Sequence, residues 1–349
     1  SLVVSPGYDV FRHDQTVFIP LVYHKIDTEL FSNDTLFLKL FDIKHTTSTL
    51  LTDFLFLFVG KMNIDILWFL FIAAIFLQLI FFGSLYFIIR FFFENKMYAA
   101  FALLFFVTPF FIPGTGLTTM GTDFNYHLLA LAPSLLFLAL YLHEQRFWSL
   151  IPLFFGFTMH PLTSMPFFGF YFLHTAVEAW QKQHAFKRTI YSICAIIIPL
   201  VTIVAFFFLR IDRAIVIEGF FTIMDEQWKM LARGRNDPAF FAFWNREMWI
   251  SLGSWILLGS ISFLFAKKLM PDQKQYRTWK MLFVIPFFML ATAGIGEYIS
   301  WLGVIRMNLQ RGFLLFAFLI PFTIGALAFW YAERHRMHVL ENALLFAIL

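Results

Sequence analysis

Residues 66–89 contain no Asp, Glu, Lys or Arg. As a helix rising about 1.5 Å per residue, such a run is longer than the roughly 30 Å of hydrocarbon in a bilayer. Within lipid, every backbone N–H and C=O must find a partner inside the chain, which leaves only helices and closed barrels. Apart from Gln78 and Ser84 the run is apolar throughout rather than at alternate positions, so it reads as a helix. Further apolar segments at 97–112, 124–142, 189–209, 248–265, 281–295 and 312–332 read the same way, some of them short. The chain as a whole, 60% hydrophobic and 14% charged with a mean hydropathy of +0.74, falls outside the range of a soluble domain. An all-α polytopic membrane protein is the expectation.

Several function classes drop out. The 52 Phe residues suit lipid contact and helix packing and carry no chemistry of their own. Cys194 is the single cysteine, which excludes an internal disulfide and a Cys-based metal site. A net charge of +4 does not imply nucleic acid. No H-E-x-x-H, Walker A or G-x-S-x-G motif occurs. The chain opens on apolar Ser1-Leu2-Val3-Val4 and closes on an apolar run at 343–349, so a flanking helix is expected beyond at least one end.

Lys and Arg in short loops set orientation, because such loops stay cytoplasmic. With the acidic opening segment outside, the basic loops 90–96, 143–146, 182–188, 267–280 and 334–336 all fall inside. That holds only if 147–180 enters and leaves on one side. This stretch is broken at His160-Pro161 and again at Pro166, and proline removes a ladder hydrogen bond, so it reads as a hairpin of two short helices. Two external elements follow: residues 1–63, with an interfacial helix over 46–60, and the loop 210–247 within a helix bundle spanning 64–349.

Three groups of side chains are candidates for chemistry. Asp14 and Asp34 lie in the opening segment, where partial desolvation at a lipid boundary tunes a carboxylate toward general-base work; acidic loop residues are otherwise simply solvated. His160 stands at the helix break, and His127 near Asp123 at the mouth of the 124–142 span. An ionisable group at membrane depth is a site candidate, although a His beside Pro also serves to bond carbonyls that the Pro releases. Arg233, Arg235 and Arg311 are external arginines, suited either to bidentate phosphate contact or to snorkelling among headgroups. Arg311 is the more pointed of these, being flanked by apolar sequence.

An early Asp in an external loop, spans of variable length, the His160-Pro161 break after the L-A-L-Y-L-H-E-Q-R turn (138–146), and Leu309-Gln310-Arg311 before a terminal span together resemble the polytopic GT-C glycosyltransferases, bacterial members especially. The resemblance implies a bundle of about eight to ten transmembrane or half-membrane helices with an external first loop. It implies a location in the bacterial cytoplasmic (inner) membrane with that loop on the outer side. It further implies a polyprenyl-phosphate-linked sugar as donor, with no separate cofactor assured. Asp14 then corresponds to the catalytic base, with Asp34 in reserve; Arg311, with Arg233 or Arg235, steadies the departing phosphate, and His160 and His127 shape the substrate site. The family more often has an acidic pair at the first position, which Gln15 interrupts, so a divalent metal stays open but has no acidic pair to support it. Two other readings stay open: a non-catalytic GT-C-like subunit, structural or lipid-binding, in a larger membrane complex, and a transporter of lipid-linked sugar. Membrane lipid, a polyprenyl-linked sugar and complex subunits are the expected partners.

Overall fold

The computed structural model describes residues 15–31, 33, 47–104, 106, 111–112, 117–118, 124–181, 222–227, 229–230, 240–270 and 272–334. Helices dominate them. In chain order they are α1 (Gln15–Ile26), α2 (Thr47–Phe56), which runs into a π turn at Leu57–Lys61, α3 (Ile66–Phe92), α4 (Lys96–Leu104), α5 (Tyr126–Leu142), α6 (Arg146–Met159) and α7 (Pro161–Gln181). After a 3-10 turn at Phe241–Phe243 come α8 (Arg246–Leu269), α9 (Gln273–Ile299), the short α10 (Leu302–Arg306), a 3-10 turn at Leu309–Gly312, and α11 (Phe313–Arg334). The span expected at 189–209 lies outside the described residues.

Among the described residues, four helical segments are long and apolar enough to cross a membrane: Ile66–Phe92, Arg246–Leu269, Gln273–Ile299 and Leu309–Tyr331. Their starts are set locally. Asp65 caps α3 by accepting from the amides of Leu67 (2.9 Å) and Trp68 (3.0 Å), and Asn245 caps α8 through Met248 N–H (2.8 Å). The solvent for these helices is legible from the face they leave open. On α3, Leu70, Ala74, Leu77, Phe81, Leu85 and Ile88 are buried, while Trp68, Ile72, Phe76 and Leu79 are exposed at helical spacing. A face open to water would be polar there. Both faces of α3 are apolar because the outer one meets lipid.

One expected span is shorter than its sequence suggests. The apolar stretch 97–112 forms a helix only as far as Leu104, and Phe111–Ile112 instead pairs antiparallel with Leu117–Thr118, Phe111 facing Thr118. Pro109 and Pro113 supply no amide for a helix ladder and bias the residues before them toward extended backbone. Nine residues cover about 14 Å, too little to cross. The short α4 packs on α11, with Tyr98 and Phe329 ring centroids 4.8 Å apart.

The hairpin expected at 147–180 is present, but its only break is at His160: the 21-residue α7 runs on through Pro166, where a second break was expected. At the start of α6, Arg146 pairs with Glu178 near the end of α7 (2.7 Å), so the two helices leave and return at one end of the bundle. The same end gathers Lys274 on Glu144 (2.6 Å), Tyr98 on Glu333 (3.1 Å) and His143 on the Phe87 carbonyl (3.1 Å). We call it the lysine-rich end. Deep in the hairpin, α6 touches α5 so closely that a Cβ on Gly156 would lie 2.8 Å from the Ala130 carbonyl and 2.9 Å from Ser134 Oγ. Ser134 Oγ also bonds Ser164 Oγ at 2.8 Å, joining α5 to α7 by the small residues that let membrane helices approach.

At the centre stands α11. Within the Leu309–Tyr331 segment 83% of the apolar window is buried inside the protein, against 17% for α8. Phe313 through Ile320 are buried without interruption, so α11 has neighbours on every side.

Candidate functional site

At the end opposite the lysine-rich one, three side chains far apart in sequence come together through a fourth. His160 occupies the one-residue gap between α6 and α7. Its amide donates to the Gly156 carbonyl (2.9 Å) and closes α6, while its Nδ1 accepts from the Thr163 amide (3.3 Å) and caps α7. Pro161 opens α7, a position where no amide is needed and its fixed φ suits the first turn. His160 is therefore held from both sides by backbone.

Around it lies a polar cluster in otherwise apolar surroundings. Thr163 Oγ1, fully buried, is 2.8 Å from His160 Nδ1, 3.0 Å from His127 Nδ1 and 3.4 Å from Arg311 Nη1. Arg311 Nη1 lies 3.1 Å from His160 Nδ1 and 3.2 Å from Nε2, beside the ring edge between its two nitrogens. A guanidinium only donates, so the imidazole nitrogen it engages is an acceptor. Taken as the acceptor, His160 Nδ1 has one lone pair for three nearby donors, the Thr163 amide, the Thr163 hydroxyl and Arg311 Nη1, so these contacts share it, while His127 Nδ1 reaches the same Thr163 oxygen.

Local folding explains each placement. His127 sits in the first turn of α5, fixed by Asn125, whose side chain accepts from Leu128 N–H at 2.8 Å. Arg311 rides on the 3-10 turn that follows Asn308, itself in the left-handed region at φ 44°, which Asn tolerates better than most residues. The next residue must be small. A Cβ on Gly312 would lie 2.9 Å from Met289 Sδ of α9, so glycine lets the turn press against that helix and present Arg311 to the hairpin.

The N-terminal segment reaches the same end. Gln15 is buried and donates through Nε2 to the Phe124 carbonyl (3.0 Å), and Phe18 packs edge-on against Phe124 and Tyr126 at the entry to α5. Part of the 210–247 loop does so too. Met224 N–H bonds the Ser300 carbonyl (2.9 Å), Leu302 N–H bonds the Thr222 carbonyl (3.0 Å), and the Glu297 carboxylate accepts from the amides of Phe241 (2.7 Å) and Ala242 (2.9 Å). Between α8 and α9 this loop covers an apolar cavity of about 840 Å³, lined by Phe240, Phe241, Trp249, Leu252, Phe287 and Leu290 among others. Leu290 follows Met289, the residue on which Gly312 rests, so the cavity and the Arg311 turn share α9.

Of the residues singled out in the sequence, Arg311, His160 and His127 meet in one cluster. Asp14, Asp34, Arg233 and Arg235 lie outside the described residues, as does Asp123. Thr163, at the centre of the cluster, was not foreseen. Its signal is its position three residues after His160, where an N-terminal helix amide and a hydroxyl both face the capping side chain. Among the described residues no three His, Cys, Asp or Glu side chains stand close enough to share a metal ion. Chemically, the cluster offers a cation, a helix N-terminus and neutral imidazole, a set suited to an anionic oxygen. No family model, curated protein or solved structure matches this chain, so its function is argued from the geometry alone.

Proposed function

We propose that the protein is a membrane glycosyltransferase of GT-C type, moving a sugar from a polyprenyl-phosphate-linked donor to an acceptor at the outer face of the membrane. The observation that carries this reading is the Arg311–His160–Thr163–His127 cluster at the start of α7, next to the docked N-terminal segment. Arg311 and the positive end of α7 hold the donor phosphate, and His160 with Thr163 fixes the guanidinium. The apolar cavity between α8 and α9 accommodates isoprenoid. In the transfer, Asp14 takes the proton of an acceptor hydroxyl as its oxygen bonds to the anomeric carbon. The bond from that carbon to the phosphate oxygen breaks, and polyprenyl phosphate leaves with the electron pair. Charge grows on that phosphate in the transition state, where a preplaced cation acts most strongly.

The test uses the full chain in proteoliposomes containing a polyprenyl-phosphate-linked hexose. Asp14→Asn is expected to abolish transfer while leaving donor binding intact, and Arg311→Ala to slow transfer by roughly 10²–10³-fold. Gln15 favours one second reading: its amide is turned inward onto the Phe124 carbonyl, so it contributes no acid beside Asp14. If the wild type binds polyprenyl phosphate through Arg311 but transfers nothing, the protein is a lipid-binding GT-C-like subunit. If it does neither, the glycosyltransferase reading fails.

A further inference from the structure

We propose that the lysine-rich end carries a second, separate lipid site, a cavity between α7, α8 and α9 that takes the phosphate headgroup of an anionic bilayer phospholipid. The cavity measures about 1150 Å³ and is lined by His174 and Glu178 of α7, Lys267 near the end of α8, Met270, and Lys274, Tyr276, Arg277 and Lys280 on the first turns of α9, with Gln273 and Thr278 completing it. Four cationic side chains thus face one carboxylate.

That carboxylate is already engaged. Glu178 pairs with Arg146 at 2.7 Å from the hairpin side. Lys274 is taken as well, at 2.6 Å from Glu144, and this bond holds the Glu144 carboxyl below the usual carboxylate range. Lys267, Arg277 and Lys280 are left with no ion pair among the described residues, Lys280 lying over the Tyr276 ring at 4.7 Å. The N-terminus of α9 is capped by the Asp272 carboxylate, which accepts from Lys274 N–H (2.9 Å) and offsets the positive end of that helix, so the attraction rests on the side-chain cations. Behind the cavity Tyr141 Oη bonds His174 Nδ1 (3.0 Å) and so ties the α7 wall to α5.

The geometry selects a lipid rather than free phosphate. Away from the cavity, the outward faces of both walls are hydrocarbon: Leu264 and Phe265 on α8, Val284 and Phe288 on α9, all exposed. A headgroup in the cavity leaves its acyl chains on those faces. Uncompensated cations where helices meet the headgroup layer are the sequence-readable mark of anionic-lipid recognition. By sequence these lysines are an orientation signal alone; the fold turns part of that loop into a concave site.

The experiment titrates the full chain in neutral detergent with dioleoylphosphatidylglycerol, with dioleoylphosphatidylcholine, and with inorganic phosphate, and reads bound lipid by native mass spectrometry. The phosphatidylglycerol is expected to be retained over the phosphatidylcholine. Arg277→Gln and Lys267→Gln should each weaken retention about fivefold, and the combined Lys267→Gln/Arg277→Gln/Lys280→Gln variant should abolish the preference. Lys268→Gln is the charge-matched control, because Lys268 stacks on Trp330 at 4.5 Å and does not line the cavity. Arg277→Lys, which keeps the charge, should retain the preference and shows that loss in Arg277→Gln is not misfolding. Equal retention of the two lipids, undiminished retention by the triple variant, or displacement of lipid by inorganic phosphate at matched concentration each overturns the proposal. Because the site lies at the opposite end from Arg311, the effect of Arg311→Ala on donor binding is scored independently of these variants.

Discussion

Replacing Thr163 with Val removes one oxygen and keeps the shape of the side chain. That oxygen touches His160 at 2.8 Å, His127 at 3.0 Å and Arg311 at 3.4 Å. The contact to Arg311 is long and adds little. In water-soluble proteins the two short bonds would be worth about 1 kcal/mol each. Between membrane helices measured couplings average nearer 0.6 kcal/mol, because the separated helices also find partners in lipid. The loss is therefore about 1–2 kcal/mol, a five- to thirtyfold change in an equilibrium constant. If Thr163 holds Arg311 ready for a phosphate, that penalty appears in affinity for polyprenyl monophosphate, read by native mass spectrometry on the full chain. Thr163→Ser, which keeps the hydroxyl, should bind as the wild type does. Wild-type affinity in Thr163→Val, with an unchanged melting temperature, would refute the idea that this hydroxyl organises the site.

Three further outcomes are expected. Gly156→Ala places a Cβ 2.8 Å from the Ala130 carbonyl, and the backbone must shift to admit it, so thermal unfolding should show a loss of about 1–3 kcal/mol. Gln15→Glu exchanges a buried donor for a second acceptor facing the Phe124 carbonyl and should cost about 1–3 kcal/mol without creating a metal site, as read by melting with and without Mn²⁺. The Glu144 carboxyl titrates below its ordinary value because Lys274 bonds its charged form, so its stabilising contribution is present above the unfolded pKa and lost as pH falls through the folded one. Wild type should melt slightly higher than Glu144→Gln at neutral pH, with the gap closing once acid protonates the carboxylate; a gap persisting in acid would show the ion pair is not its source.

Much of the architecture was legible because lipid leaves a chain few choices. An uncharged run such as 66–89 has to be a spanning helix, and Pro161 combined with the distribution of Lys and Arg required a hairpin whose ends share one side. The convergence of His127, His160 and Arg311 was foreshadowed by the cost of placing ionisable groups in apolar sequence. Thr163 escaped notice because a hydroxyl inside an apolar helix ordinarily bonds its own backbone, as Ser254 does with the Ile250 carbonyl and Thr292 with that of Phe288. The early end of α4 was overlooked for the opposite reason. Hydropathy counts Phe111 and Ile112 as membrane and is blind to the prolines at 109 and 113, a residue type that disfavours a continuing helix.

The position of α11 bears on how the molecule is made. It is the last described helix to leave the ribosome, yet it fills the middle of the bundle. Until it is synthesised, Phe81 and Phe106 lack the Phe318 ring that later packs against both. Closure of the bundle therefore waits until the ribosome has passed Arg334, and a chain truncated before Phe313 would leave the surfaces that α11 covers open to the membrane and its quality control.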